Sequence, residues 1–141
     1  MTRREIAFSC PTCHQEVCSN GEEEAVCPHC NGRTRLELSP ALRSGGPVDR
    51  CPACGSERLY VQRDFNQRAG LAVVVLGAVA APFTHYLSLL GAAVLDALLY
   101  LWLPEITVCY RCAAHFRGYP RNPAHLPFDL HIAEQYGKRV E

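Results

Sequence analysis

Residues 69–103 read AGLAVVVLGAVAAPFTHYLSLLGAAVLDALLYLWL, and the fold expected of the whole chain turns on this stretch. It contains no Lys, Arg or Glu; Asp96 is its one formal charge, and His85, Tyr86 and Tyr100 are its other titratable groups. That is the composition of a membrane segment. At about 35 residues it exceeds the ~20 that one spanning helix needs, and Ala81-Pro82-Phe83-Thr84-His85 breaks it near the middle. The sequence therefore predicts two short helices forming a hairpin. The 14–16 residues before Pro82 reach only ~21–24 Å, so the expectation is a hairpin that spans a thinned bilayer or dips in as a re-entrant wedge, with spanning favoured.

What flanks the run fixes its role. Cys51-Pro-Ala-Cys54 precedes it and Cys109-Tyr-Arg-Cys112 follows it, each an incomplete pair of thiolates. Four sulfurs around one tetrahedral metal require both ends of the apolar run to emerge together, so the hairpin reads as an insertion in the loop of a metal module. Upstream, Cys10-Pro-Thr-Cys13 and Cys27-Pro-His-Cys30 complete a C-x2-C-x13-C-x2-C spacing that suits a second four-sulfur site. Disulfides are the competing reading of these eight thiols. The opening MTRREIAFSC has no apolar signal segment, which favours a reducing compartment and metal. The ninth cysteine, Cys18, lacks a partner at this spacing and is expected to be a buried strand thiol.

Around the first four cysteines, Glu5–Ser9, Gln15–Ser19, Glu24–Val26 and Thr34–Leu38 read as strands, with Asn20-Gly21 a hairpin turn. Ser39–Asp49, rich in Pro and Gly, reads as a linker. Glu57–Asp64, Glu105–Val108 and His115–Tyr119 repeat the strand plan around the second four. Pro120–Pro127 is extended, and Phe128–Tyr136 places Phe128, Ile132 and Tyr136 on one face of a short amphipathic helix expected to pack on the second module. The expected organisation is thus a first module over 1–38, a linker over 39–49, a second module split between 50–68 and 104–119, the hairpin over 69–103, and a tail over 120–141.

The stretch from F-S-C-P-T-C to C-P-H-C resembles the small zinc-ribbon motifs found at the N-termini of many bacterial proteins, and the whole chain resembles uncharacterised small bacterial membrane proteins with ribbon domains. The fold class expected is small α+β: two zinc-ribbon modules, a transmembrane or re-entrant helical hairpin inserted in the second, and a short C-terminal amphipathic helix. Cys10, Cys13, Cys27, Cys30, Cys51, Cys54, Cys109 and Cys112 are the expected ligands of two Zn2+ ions, with iron in a rubredoxin-like site as the rival, because paired C-x-x-C knuckles bind either metal.

The 14 basic and 14 acidic side chains balance, and no basic face stands out, which argues against nucleic acid as a partner. Arg58, Arg63, Arg68, Arg111, Arg117 and Arg121 flank the hairpin while its tip carries only His85, so the positive-inside rule places the metal modules on the cytoplasmic side of a bacterial inner membrane. Within the hairpin, Asp96 is an expensive group that must be neutral, paired or wet, and Tyr100, one turn on, is its expected donor. No nucleophile with a base, no Gly-rich phosphate loop and no paired carboxylates occur. The function expected is therefore non-enzymatic: a membrane-anchored, cytoplasm-facing scaffold, adaptor or accessory subunit of a membrane complex, in contact with lipid and with a protein partner or its own copies. The alternatives are a membrane-bound iron electron carrier and an oligomeric proton- or ion-conducting hairpin built on Asp96.

Overall fold

Strand β1 (Glu5–Ser9) is the seam of the molecule. In the computed structural model, which describes residues 3–137, it buries Ile6, Ala7 and Phe8 and pairs on both of its edges. On one side it runs antiparallel to β2 (Glu16–Ser19), with Ile6 opposite Ser19 and Phe8 opposite Val17. On the other it runs antiparallel to β7 (His115–Arg117), with Ile6 opposite Phe116. β7 pairs in turn with β6 (Glu105–Cys109), and β5 (Leu59–Arg63) closes the far edge, so the five strands lie in the order β2-β1-β7-β6-β5. The expected two modules thus share one sheet. A separate antiparallel pair, β3 (Glu24–Val26) with β4 (Arg33–Arg35), completes the β structure.

The core follows from this seam. Ile6, Phe8, Val17, Leu36, Leu38, Leu42, Leu59, Ala114 and Phe116 form one buried cluster that also takes in Cys10, Cys27, Cys51 and Cys109. The sulfurs are part of the packing as well as of the candidate sites. The Pro/Gly-rich segment 39–49 is more ordered than a linker: Pro40–Arg43 forms a single-turn helix, α1, started by Ser39, whose Oγ accepts from Leu42 N at 3.3 Å. It seats Leu42 in the core. In the tail the helix runs over Leu130–Gly137 (α4), two residues later than expected at its start, because Asp129 Oδ1 accepts from His131 N at 2.8 Å at the helix entry. Phe128 and Tyr136 stack on Tyr110, and Phe128 meets the edge of Tyr60, so the tail packs on the second module. Positions 1–2 of the expected first module and 138–141 of the tail lie outside the described residues.

The described chain divides into two compact units, one formed by the residues up to Gln62 together with those from Glu105, the other by Arg63–Pro104. The second unit is the hairpin: α2 (Gln67–Ala80), a turn of 3-10 helix at Ala81–Phe83, and α3 (Leu87–Trp102). Asn66 opens α2, its side chain accepting from Arg68 N at 3.0 Å. At the tip His85 and Tyr86 both adopt left-handed backbone (φ 49° and 66°), and Thr84 Oγ1 donates to Ala80 O while accepting from Ser88 N. The helices approach closely at Gly77, where an added Cβ would lie 2.9 Å from Ala92 Cβ and where Ser88 Oγ donates to Gly77 O at 2.8 Å. A larger side chain there would force the helices apart.

No helix among the described residues is long and apolar enough to cross a membrane. This corrects the expected transmembrane or re-entrant hairpin and, with it, the inner-membrane placement with cytoplasmic metal modules. The physical reason is length. Residues 81–86 form the 3-10 turn and the tip, and α2 and α3, of 14 and 16 residues, extend only about 21 and 24 Å against a hydrocarbon core of about 30 Å, too little for the spanning arrangement favoured from the sequence. Arg63 also has a local task in place of a topological one: its Nη1 donates to the carbonyls of Tyr100 and Leu101 at 3.0 and 2.9 Å, satisfying the open C-terminal end of α3, while its guanidinium lies 5.0 Å from the Tyr100 ring.

Candidate metal centres

Four copies of one backbone device present the eight sulfurs. In each, the first cysteine's N–H donates to the carbonyl five residues on, and its own carbonyl accepts from the N–H four residues on. Cys10 N donates to Gln15 O at 2.8 Å and His14 N to Cys10 O at 2.9 Å; Cys27 N to Gly32 O and Asn31 N to Cys27 O, both at 2.9 Å. Cys51 N donates to Ser56 O and Gly55 N to Cys51 O; Cys109 N donates to Ala114 O and Ala113 N to Cys109 O. The turn closes through a left-handed residue at the fifth position of every knuckle: His14, Asn31, Gly55 and Ala113, with φ between 55° and 74°. Gly and Asn suit that conformation; Ala113 holds it at a steric cost.

The knuckles come together in two groups, Cys10, Cys13, Cys27 and Cys30 in one and Cys51, Cys54, Cys109 and Cys112 in the other, each with its four sulfurs within 4.8 Å of one another. In each group the leading cysteine of a pair is buried and the trailing one half-buried. The Sγ atoms of Cys10 and Cys30 lie 3.7 Å apart and those of Cys13 and Cys27 3.6 Å; in the second group Cys51 and Cys112 are 3.5 Å apart, Cys54 and Cys109 3.6 Å. A disulfide would bring sulfurs to about 2.05 Å, whereas four thiolates about 2.3 Å from a tetrahedral metal stand about 3.8 Å from each other. The spacing fits a metal and excludes a bond between these sulfurs. Both groups can hold a metal ion, consistent with zinc-ribbon-like modules.

Electrostatics favours the thiolate form at chosen positions. The backbone N–H groups of Cys13 and then Thr12, aimed at its sulfur against the opposing cost of burial, draw the Cys10 thiol down to about 6. The N–H of Cys30 acts first in the same way on Cys27. In the second group hydrogen bonding to Cys109 and Cys112 pushes the Cys51 thiol up, while Cys112 and Cys51 pull Cys109 down, helped by the backbone of Cys112 and Arg111. Arg111 N donates to Cys109 Sγ at 3.4 Å. Four negative sulfurs at these distances need a cation to balance them.

The remaining site expectations fall elsewhere. Cys18 faces solvent, because β2 turns Val17 and Ser19 inward and Cys18 outward; hydrogen bonding to Glu5 pushes its thiol up to about 11. His14 and His29, beside ligand cysteines, are exposed. His85 is exposed at the hairpin tip. Asp96 and Tyr100 do not pair: the Tyr100 ring lies beside Arg63 and Phe65, and Asp96 Oδ1 is buried without a hydrogen-bond partner among the described residues. The repeated left-handed fifth position went unread in the sequence, although Asn31 and Gly55 signal it. No protein family, no curated protein and no solved structure matches the chain.

Proposed function

We propose that the protein is a non-enzymatic scaffold or adaptor in which two structural zinc ions staple a rigid five-stranded head, and the apolar hairpin supplies the docking surface for a protein partner. The observation that carries this reading is that both clusters are closed. Each offers four sulfurs from four knuckles, so a tetrahedral ion has no position left for water or substrate, the arrangement of structural rather than catalytic zinc. The head has reason to need such staples: its strands are three to five residues long. The hairpin presents large apolar side chains outward, Leu76, Phe83 and Trp102 being 70%, 85% and 88% exposed, and apolar surface on that scale marks an interaction site.

Cobalt substitution tests the closed sites. With Co2+ in place of zinc, tetrathiolate coordination gives sulfur charge-transfer and tetrahedral ligand-field bands, and excess azide or imidazole leaves them unchanged if no position is open. Bands that shift with azide would mean an exchangeable position, and the scaffold reading would give way to metal-assisted catalysis. Protein isolated with iron would instead favour electron transfer.

A further inference from the structure

The hairpin keeps its small side chains inside and its large ones outside. In α2 the buried residues are Gly70 and Gly77, with Val73 and Ala80 half-buried on the same side. In α3 no residue is fully buried among the described residues, and the half-buried ones are Ser88, Ala92 and Asp96, spaced by four. That strip is the seam with α2, since Ala92 Cβ faces Gly77 and Ser88 Oγ donates to the Gly77 carbonyl. A pair of helices closed mainly by glycine, alanine and serine has no core of large side chains of its own. Helices apolar on every side are stable only when something covers them from outside.

One outward row of α3 is regular. Leu87, Leu90, Val94, Leu98 and Leu101 follow spacings of three, four, four and three, and each is more than half exposed. At about 100° per residue the row lies about 180° around the helix from the seam. Such spacing gathers apolar side chains into the stripe by which one helix packs on another. Tyr86 and Trp102 flank the row at its two ends, 70% and 88% exposed. A leucine or valine side chain carries about 60–120 Å² of apolar surface and an aromatic ring about 150–250 Å². At these exposures the row and its flanking rings present about 600 Å², one partner's share of a stable interface at the small end of the standard range.

The row has no charge with which to select an unlike partner: residues 69–103 contain no Lys, Arg or Glu, and Asp96 lies on the seam side. A uniformly apolar row is complementary to itself, and a two-fold pair of identical helices needs no other feature. We propose that two copies of the chain associate through this row, α3 of one against α3 of the other. The pairing rests on the docking role proposed for the hairpin and supplies its occupant.

Sedimentation velocity of the full-length, zinc-loaded protein in the absence of detergent tests it, and should give twice the 15.6 kDa of one chain. Leu90→Glu with Leu98→Glu, which sets charges against each other across the row, should return the protein to single chains. Val75→Glu with Val79→Glu, adding the same charge to exposed positions of α2, should leave the pair intact. Leu90→Ala with Leu98→Ala, which keeps the helix propensity, should raise the dimer Kd at least about tenfold. Circular dichroism and zinc content check that each variant is folded. A wild-type protein that stays a single chain at micromolar concentration would overturn self-pairing while leaving the docking role to another protein. Flotation of that single chain with phosphatidylcholine vesicles would give the row to lipid and overturn both readings. A pair that survives the α3 charges, or one that the α2 charges dissociate equally, would show that this row does not hold it and would also overturn the proposal.

Discussion

The two cysteine groups reach the same geometry by different routes through the chain. In the first, Cys10 and Cys30 are 20 residues apart and the excursion between the knuckle pairs runs through β2 and β3, with Gly21 at φ 88° between them. In the second, Cys51 and Cys112 are 61 residues apart and the excursion contains the whole helical hairpin. The nearest sulfur separations nevertheless agree within 0.2 Å, from 3.5 to 3.7 Å. The knuckle, not the length of chain between knuckles, sets the site. Loop closure explains why this is affordable: tripling a loop from 20 to 61 residues adds only about 1 kcal/mol of closure entropy. The hairpin reduces even that, since the chain is pinned at its neck, where Asp64 N donates to Pro104 O at 3.0 Å.

The equivalence of the two groups can be broken most severely through the metal. Structural zinc is worth about 10–16 kcal/mol in small modules near neutral pH, so chelation should unfold the five-stranded sheet as one unit, and acid should act in the same direction because a bound ion needs thiolates. Cys10→Ser and Cys51→Ser should each lower the metal count from two to one and perturb amide resonances in both halves of the sheet, since sulfurs of both groups share one core. A variant whose other half keeps an unchanged spectrum would show that the groups are independent.

Phe116 offers the next largest effect. It is fully buried on β7, opposite Ile6 on one side and Thr107 on the other, and so joins the two halves. Phe116→Ala should cost about 3–5 kcal/mol in denaturant unfolding and weaken metal retention in both groups. Loss confined to the second group would move the seam elsewhere.

Replacing Phe65–Leu103 with Asn-Gly should be far milder. With Asp64 and Pro104 already hydrogen-bonded across the neck, a two-residue turn can join them, and both metal ions should be retained with stability changed by about 1 kcal/mol or less. A shortened chain that binds one ion would mean that the hairpin helps to build the second site.

The smallest effect is at the knuckle itself. Ala113 stands at φ 55° where Gly55 stands in its partner knuckle, and Ala113→Gly should relieve about 1 kcal/mol of left-handed strain, seen as a small rise in Tm. A fall would mean that the four knuckles are not interchangeable.

Much of this plan was visible in the residues. Four C-x-x-C pairs, the limits of β1 and β3 and the break at Pro82 are all local signals, and local signals report local structure. The hairpin expected at Asn20-Gly21 does not form, because β2 pairs with β1 and β3 with β4. The pairing of β1 with β7 was not visible, because strands some 110 residues apart leave no mark on either segment. The two short helices of the apolar run were legible as well; the error lay in favouring a span on apolar composition when helices of 14 and 16 residues are too short to cross a membrane. Cys18 turned outward because strand alternation fixes its face once Val17 is buried. Asp96 could be singled out from sequence, but that its Oδ1 is buried with no hydrogen-bond partner among the described residues could not.

The most direct test of the account is metal content measured together with the visible spectrum of the full-length protein isolated without added metal. Two zinc ions per chain and no visible absorption are the predicted result, both sites being closed tetrathiolates. A visible thiolate-to-iron charge-transfer band, or a metal-free protein with its cysteines in disulfides, would contradict it.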